Sequence, residues 1–352
     1  LPIRPSHVNS KFILDGSSGE DDYLGFYDFT SNPQSENPPG GIVYSANNQP
    51  DSIEGILYPG YYCPENRAAR IVSLLAEKEK WDSGDFREMM LDDISNTILK
   101  NTNELIRIIS EGISDSDEFK LYIDILKDWS SSHGKNQIAP TIYYKWLYYI
   151  LESTMADELG VDRTLFLYNN TFLIKNSFPG LISNDHSVWW DNVNTKDKTE
   201  TREDIIIQAL HKTIENLQAD RGTDVNEWTW GNIHKLEHVH PVGMQEPFDK
   251  IYNVGPFGTW GGSEVINYLN VKMADSKEFS VTFGPSARRI IDFGNIELTE
   301  NILPTGQSGH FMSDYYDDQA ELYNQGEFRK QRMNRDDILS NASATFILDP
   351  VK

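Results

Sequence analysis

A block of helical patterning from about residue 83 to 220 lies between two stretches that read as short strands and turns, and it limits what this chain can fold into. Within the block Phe86, Met90, Ile94 and Ile98 fall at i, i+4 steps, the spacing of an apolar stripe on one helix face. Leu105, Ile108 and Ile109 continue the pattern. Residues 143–159 are dense in aromatic and aliphatic side chains, and Gly160 fits the position just past a helix end. The aromatics from Tyr143 to Tyr149, Trp146 among them, read as buried helix packing rather than a ligand box. Thr201-x-x-Asp204 before Ile205 reads as a capping box, after which Ile206, Leu210, Ile214 and Leu217 line one face.

The flanks are different. Residues 1–55 are rich in Gly, Pro, Ser and Asp, with short β runs. Residues 1–5 open extended, because residues before Pro avoid the helical region, and 24–29 reads as an irregular strand. Residues 67–75 have helical spacing through Ile71, Leu74 and Leu75. Residues 279–283 and 288–293 read as two alternating strands joined by Gly284-Pro285, and 344–348 as a last strand. The expected architecture is one α/β body with a largely helical insertion. It divides at 1–82, 83–220 and 221–352.

Charge narrows the partners. The 352 residues carry 54 Asp and Glu against 31 Lys and Arg, a net charge of -23. Nucleic acid and anionic membrane are polyanions, so both are poor partners. No apolar run approaches the ~20 residues of a membrane-crossing helix, so no membrane insertion is expected. Cys63 is the single cysteine, so no disulfide can form within the chain, and nothing marks its thiol as activated. The chain begins at Leu1 with no signal-peptide pattern, and is expected to be a processed product or a trimmed piece of a longer protein.

Two sets of residues invite a chemical reading. In Gly40-Gly41-Ile42-Val43-Tyr44-Ser45-Ala46-Asn47-Asn48-Gln49-Pro50, residues 42–44 read as a short strand that ends on two amides. Asn47 at its end is a neutral N–H donor of the kind a developing oxyanion needs. The plain alternative is a strand leading into an Asn-Asn turn. His234, His238 and His240 have spacing that suggests a metal site, but no acidic or thiol ligand is placed to complete one, and structural or surface roles are expected for them.

The chain resembles the penicillin acylase (penicillin amidase) family in several places, in order and over nearly its whole length. Ala46-Asn47-Asn48 and Arg67-Ala68-Ala69-Arg70-Ile71 are similar to the upstream part of the family pattern. Trp189-Trp190-Asp191, Trp228-x-Trp230-Gly231, His234 and His240-Pro241 resemble its middle. Asn253-x-Gly255-Pro256-Phe257, Gly261-Gly262-Ser263, the run 284–292, Leu303-Pro304-Thr305-Gly306-Gln307-Ser308-Gly309 and Asp317-Asp318-Gln319 resemble its C-terminal signature.

The resemblance implies an N-terminal-nucleophile hydrolase with an αββα sandwich. A precursor cuts itself and exposes a Ser at the head of its large chain, and that Ser uses its own α-amine as base to attack a linear amide. This sequence does not begin with Ser. It resembles the C-terminal portion of the large catalytic chain, so its expected partners are the missing small chain and the N-terminal part of the large chain. Alone it is expected to be inactive. By resemblance Asn47 is the side-chain donor of the oxyanion hole and Arg70 the Arg that orients the nucleophile's amine. The bland alternative for Arg70 is a helix-surface Arg. The chemistry requires no cofactor. A structural Ca²⁺ belongs to the family's complete enzyme, with its main ligands outside this sequence, and no ligand cluster stands out here. The implied substrates are small-molecule N-acyl amides: β-lactams, acyl-homoserine lactones or other acylated amines. The implied location is periplasmic or secreted. A non-catalytic binding or scaffold fragment is the alternative from another class.

Overall fold

The computed structural model describes residues 1–9, 12–53, 55, 56, 58, 60, 62–112, 118–273 and 277–350. Helices carry the centre of the chain. After β1 (Pro2–Ile3) and β2 (Gly25–Phe26) come α1 (Asn66–Leu75), α2 (Ser83–Met90), α3 (Asn96–Gly112) and α4 (Lys120–Lys127). Next are α5 (Ala139–Asn169), α6 (Thr171–Ser183), α7 (Arg202–Arg221) and the short α8 (Trp230–Ile233). Small strands alternate with short helices thereafter: β3 (Lys235–His238), α9 (Asp249–Tyr252), β4 (Val254–Gly258), β5 (Asn270–Val271), β6 (Val281–Phe283), β7 (Arg288–Ile290), β8 (Glu300–Ile302), α10 (Ala320–Gln325), β9 (Arg329–Lys330) and α11 (Arg335–Asn341).

Among the described residues these strands form small antiparallel sheets: β1 with β2, β3 with β4, β5 with β6, and β7-β8-β9. The core is chiefly helical. Ile98, Leu105, Ile108 and Ile109 of α3 pack with Tyr143, Trp146 and Ile150 of α5 and with Ile206, Leu210 and Leu217 of α7. Trp228, Trp230, Ile233, Val271 and Phe279 belong to the same cluster, so the helices of 83–220 share one core with these later residues. The buried indoles are satisfied: Trp146 Nε1 donates to Ile206 O at 3.0 Å and Trp230 Nε1 to Gly261 O at 3.0 Å.

Local signals held where backbone chemistry decides. Thr201 caps α7 in a reciprocal box with Asp204, and Ile206, Leu210, Ile214 and Leu217 are buried on one face. Gly160 breaks α5 at φ 75° and ψ 170°, a conformation glycine adopts without a Cβ penalty. The aromatics of 143–149 pack in or against the core.

Four expectations fail. The stripe Phe86, Met90, Ile94 and Ile98 does not lie on one helix: α2 ends at Met90 and α3 begins at Asn96. Caps override the period here. An Asp82–Asp85 capping box starts α2, and Ser95 Oγ takes the Ile98 N–H at 3.2 Å to start α3. Residues 42–44 form no strand, and Ile42, Val43 and Tyr44 are exposed; β propensity without a partner backbone makes no ladder. Residues 281–283 and 288–290 are strands, but Gly284-Pro285 does not join them as a hairpin, since β6 pairs with β5 and β7 with β8. Residues 344–348 carry no strand, and Phe346, Ile347 and Leu348 are exposed.

Candidate active site

Asn47 lies on an irregular loop rather than at a strand end. Its φ of 64° is in the left-handed region, which Asn tolerates better than most residues. The loop is tied to the approach of α1, with Cys63 N–H donating to Asn47 O at 2.9 Å. Arg67, in the first turn of α1, closes it. Its Nη2 donates to Ala46 O at 2.9 Å and to Asn47 Oδ1 at 2.9 Å. A guanidinium only donates, so this bond assigns the acceptor end of the amide to Arg67. The Nδ2 end then points away, and no described residue accepts a hydrogen bond from it.

Asn48 differs. Its Oδ1 accepts from Ala46 N at 3.1 Å and its Nδ2 donates to Gln49 O at 3.3 Å, so both ends are used by the local backbone. The two adjacent amides therefore separate into a free donor and a loop brace.

Arg70, one helical turn beyond Arg67, pairs elsewhere. Its Nε lies 3.1 and 3.2 Å from the two carboxylate oxygens of Asp92, and Nη2 lies 2.6 Å from Oδ2. The hydrogen bonds to Asp92 push the guanidinium pKa up. Asp92 also accepts the Ile94 N–H, and its carbonyl takes the Asn267 N–H at 2.8 Å. Arg70 thus fastens α1 to the segment between α2 and α3 and, through it, to the 260s loop.

That loop supplies groups the sequence reading passed over. The Tyr268 ring lies 4.9 Å from the Arg67 guanidinium carbon and 4.9 Å from the Lys175 ammonium. Its hydroxyl donates to Asn270 Oδ1 at 3.0 Å, an oxygen that also accepts from Thr171 and Ser263. The ring is therefore held by α6 and its own loop. Glu264 is hydrogen-bonded by the Asn66 amide, and burial raises its carboxyl pKa. Burial lowers the Lys175 pKa, with the Glu264 charge opposing that shift. Asn66 and Lys175 also line a cavity of about 940 Å³ shared with residues of α3.

The histidines go to separate partners. His234 is buried, with Nδ1 2.6 Å from Phe279 O and its ring stacked on Trp230, while His240 stacks on Tyr252. Among the described residues no three His, Cys, Asp or Glu side chains are placed together to hold a metal ion. Among the described residues no helix is long and apolar enough to cross a membrane.

Of the two residues picked from the sequence, Asn47 meets Arg67 and Arg70 meets Asp92. Arg67 had a local signal, since it sits three residues from Arg70 in the same helix. Lys175, Glu264 and Tyr268 had none, because their meeting depends on α6 crossing the 260s loop.

The architecture matches a solved one. The thermostable penicillin G acylase from Alcaligenes faecalis aligns with a TM-score of 0.63 and 17% identity over 100% of this chain and 64% of that one. This mixture of helices and small sheets is thus the fold of a penicillin G acylase. The family model for penicillin amidase matches residues 1–340, and the chain belongs to that family. It is 24% identical over 336 residues to the acyl-homoserine lactone acylase QuiP of Pseudomonas putida, covering 89% of this chain and 40% of that protein. It is 24% identical over 334 residues to the penicillin acylase 2 proenzyme of a Pseudomonas species, covering 91% of this chain and 40% of that protein. The chain therefore spans about two fifths of the length of these relatives.

Proposed function

We propose that this chain is the oxyanion-stabilising part of a hydrolase that cleaves the C–N bond of linear N-acyl amides. The observation that carries the reading is the Arg67–Asn47 bond, which presents the Asn47 Nδ2–H₂ as a free, oriented donor. In the family's chemistry a Ser oxygen attacks the amide carbonyl and the α-amine takes its proton. The carbonyl oxygen becomes an oxyanion beside Asn47 Nδ2, the C–N bond breaks, and the protonated amine leaves. Water then hydrolyses the ester and regenerates the Ser. A preoriented donor helps because it needs no reorganisation as charge develops. The Ser, the small chain and the rest of the αββα sandwich belong on this reading to the remainder of the protein, as do the Ca²⁺ ligands. Periplasmic or secreted placement goes with it. Arg70 acts through position, by fixing α1 and with it Arg67.

The substrate is an acylated amine. The relatives' names support both a penicillin-type and an acyl-homoserine lactone-type amide. Amine release from N-hexanoyl-homoserine lactone, a penicillin and N-hexanoylglycine by the complete processed protein tests the reading. Release from at least one, abolished or strongly slowed by Asn47→Ala, is expected. No release from any of the three would overturn it.

A further inference from the structure

The cavity beside α1 has a composition that a bare fatty-acyl pocket would not have. Its wall includes five amides, Asn66, Asn96, Asn101, Asn103 and Asn176. Its ionic groups are Lys100, Arg107 and Lys175 against a single carboxylate, Glu104. Glu104 is engaged by Arg107 at 2.7 Å. The cavity is thus cationic in a chain whose net charge is -23. Such a local reversal of sign in a concave site concentrates anions.

Lys175 is the focus of that charge. It is half-buried on α6, and no described carboxylate lies within ion-pair distance of its ammonium. Its close neighbour is the Tyr268 ring at 4.9 Å, and the same ring meets Arg67, which holds Asn47. Glu264 lies near enough to act on it electrostatically, but that carboxylate is engaged by Asn66. A half-buried ammonium without a contacting acid, opening on an amide-lined cavity, is poised to take an anionic oxygen from outside the chain.

We propose that Lys175, at the wall of this cavity and backed by the Tyr268 ring, forms an anion subsite that takes a carboxylate carried by the N-acyl substrate. The inference rests on the amidase reading and deepens it. The preferred substrate is an N-acyl amide with a carboxylate on its amine or its acyl side, rather than a wholly neutral one. The asparagines of the wall would hydrogen-bond the polar chain that joins the carboxylate to the scissile amide.

The test is calorimetric binding to this chain, with two matched pairs of probes. N-hexanoylglycine and N-hexanoylglycinamide place the charge on the amine side. N-butylsuccinamic acid and N-butylsuccinamide place it on the acyl side. The carboxylate member of at least one pair should bind about tenfold more tightly than its neutral partner, the scale of one charge-assisted contact. The preference should shrink as NaCl is raised. Lys175→Gln should remove it and Lys175→Arg should keep most of it, with circular dichroism confirming that both variants fold. Equal binding within both pairs would overturn the subsite, as would a preference that survives Lys175→Gln. No bond is cleaved in this measurement. Failure of amine release would therefore sink the amidase reading alone, and loss of charge discrimination with amine release intact would sink the subsite alone.

Discussion

Arg70 and Asp92 form a forked ion pair, Nε and Nη2 on the two carboxylate oxygens, with both side chains largely covered. The fork joins α1 to the α2–α3 connection. Arg67 in the same helix therefore reaches Asn47 from a fixed base.

Arg70→Ala should destabilise the chain by about 2 kcal/mol, because it strands the covered Asp92 carboxylate. Arg70→Lys should recover only part of the loss, since an ammonium cannot reproduce the fork. Urea unfolding followed by circular dichroism measures both. An Arg70→Ala chain as stable as the parent would show that the fork is not what anchors α1.

Asn47→Ala in the complete processed protein should lower kcat by about 10²–10³ with little change in KM, the pattern of a donor that acts in the transition state. Asn48→Ala should cost much less in kcat, because its amide braces the backbone of Ala46 and Gln49. Steady-state kinetics separates the two. A crippling Asn48→Ala beside a mild Asn47→Ala would move the donor by one residue.

Acid should weaken the fold through two buried rings. Burial lowers the His133 pKa to about 4 and the His234 pKa to about 3. Unfolded His titrates near 6.5. Between those values the unfolded chain binds more protons than the folded one, so stability falls as pH drops from about 6.5 toward 4. The loss is on the order of 3 kcal/mol at pH 4 for each ring. Urea midpoints at pH 7, 5.5 and 4 should fall in step. His234→Asn, which can still offer an N–H to Phe279 O, should be less stable at pH 7 and should flatten the slope. An unchanged slope in that variant would remove His234 from the explanation.

Gly306→Ala should be among the most damaging small substitutions. An added Cβ would lie 1.9 Å from Tyr315 O, on a segment where Gly306 N–H donates to Tyr316 O at 2.8 Å. Backbone on backbone cannot yield as a side-chain tip can, so a loss above about 2 kcal/mol is expected. A thermal melt of the variant checks it. Gly309→Ala, with open space around its Cβ position, is the matched control.

Much was legible from residues alone. The Thr201–Asp204 box, the Gly160 break and the buried face of α7 could be read because each depends on contacts within a few residues or on the period of one helix. The ordered short motifs sufficed for the family. The α2–α3 junction was misread because periodicity ignores where a cap interrupts it. Arg67 was passed over because α1 carries two arginines three residues apart, and that spacing does not say which of them will meet an amide.

By itself, then, the sequence determined the cap and apolar face of α7 and the break at Gly160, all properties of short stretches of backbone and side chain. The tertiary structure decided which backbones pair and which charges meet. Residues 42–44 and 344–348 had β propensity but no neighbouring strand to complete a ladder. Arg67, Lys175 and Tyr268 come from three segments far apart in the chain. Their convergence depends on how α1, α6 and the 260s loop pack, and long-range packing leaves no mark in the local pattern of residues.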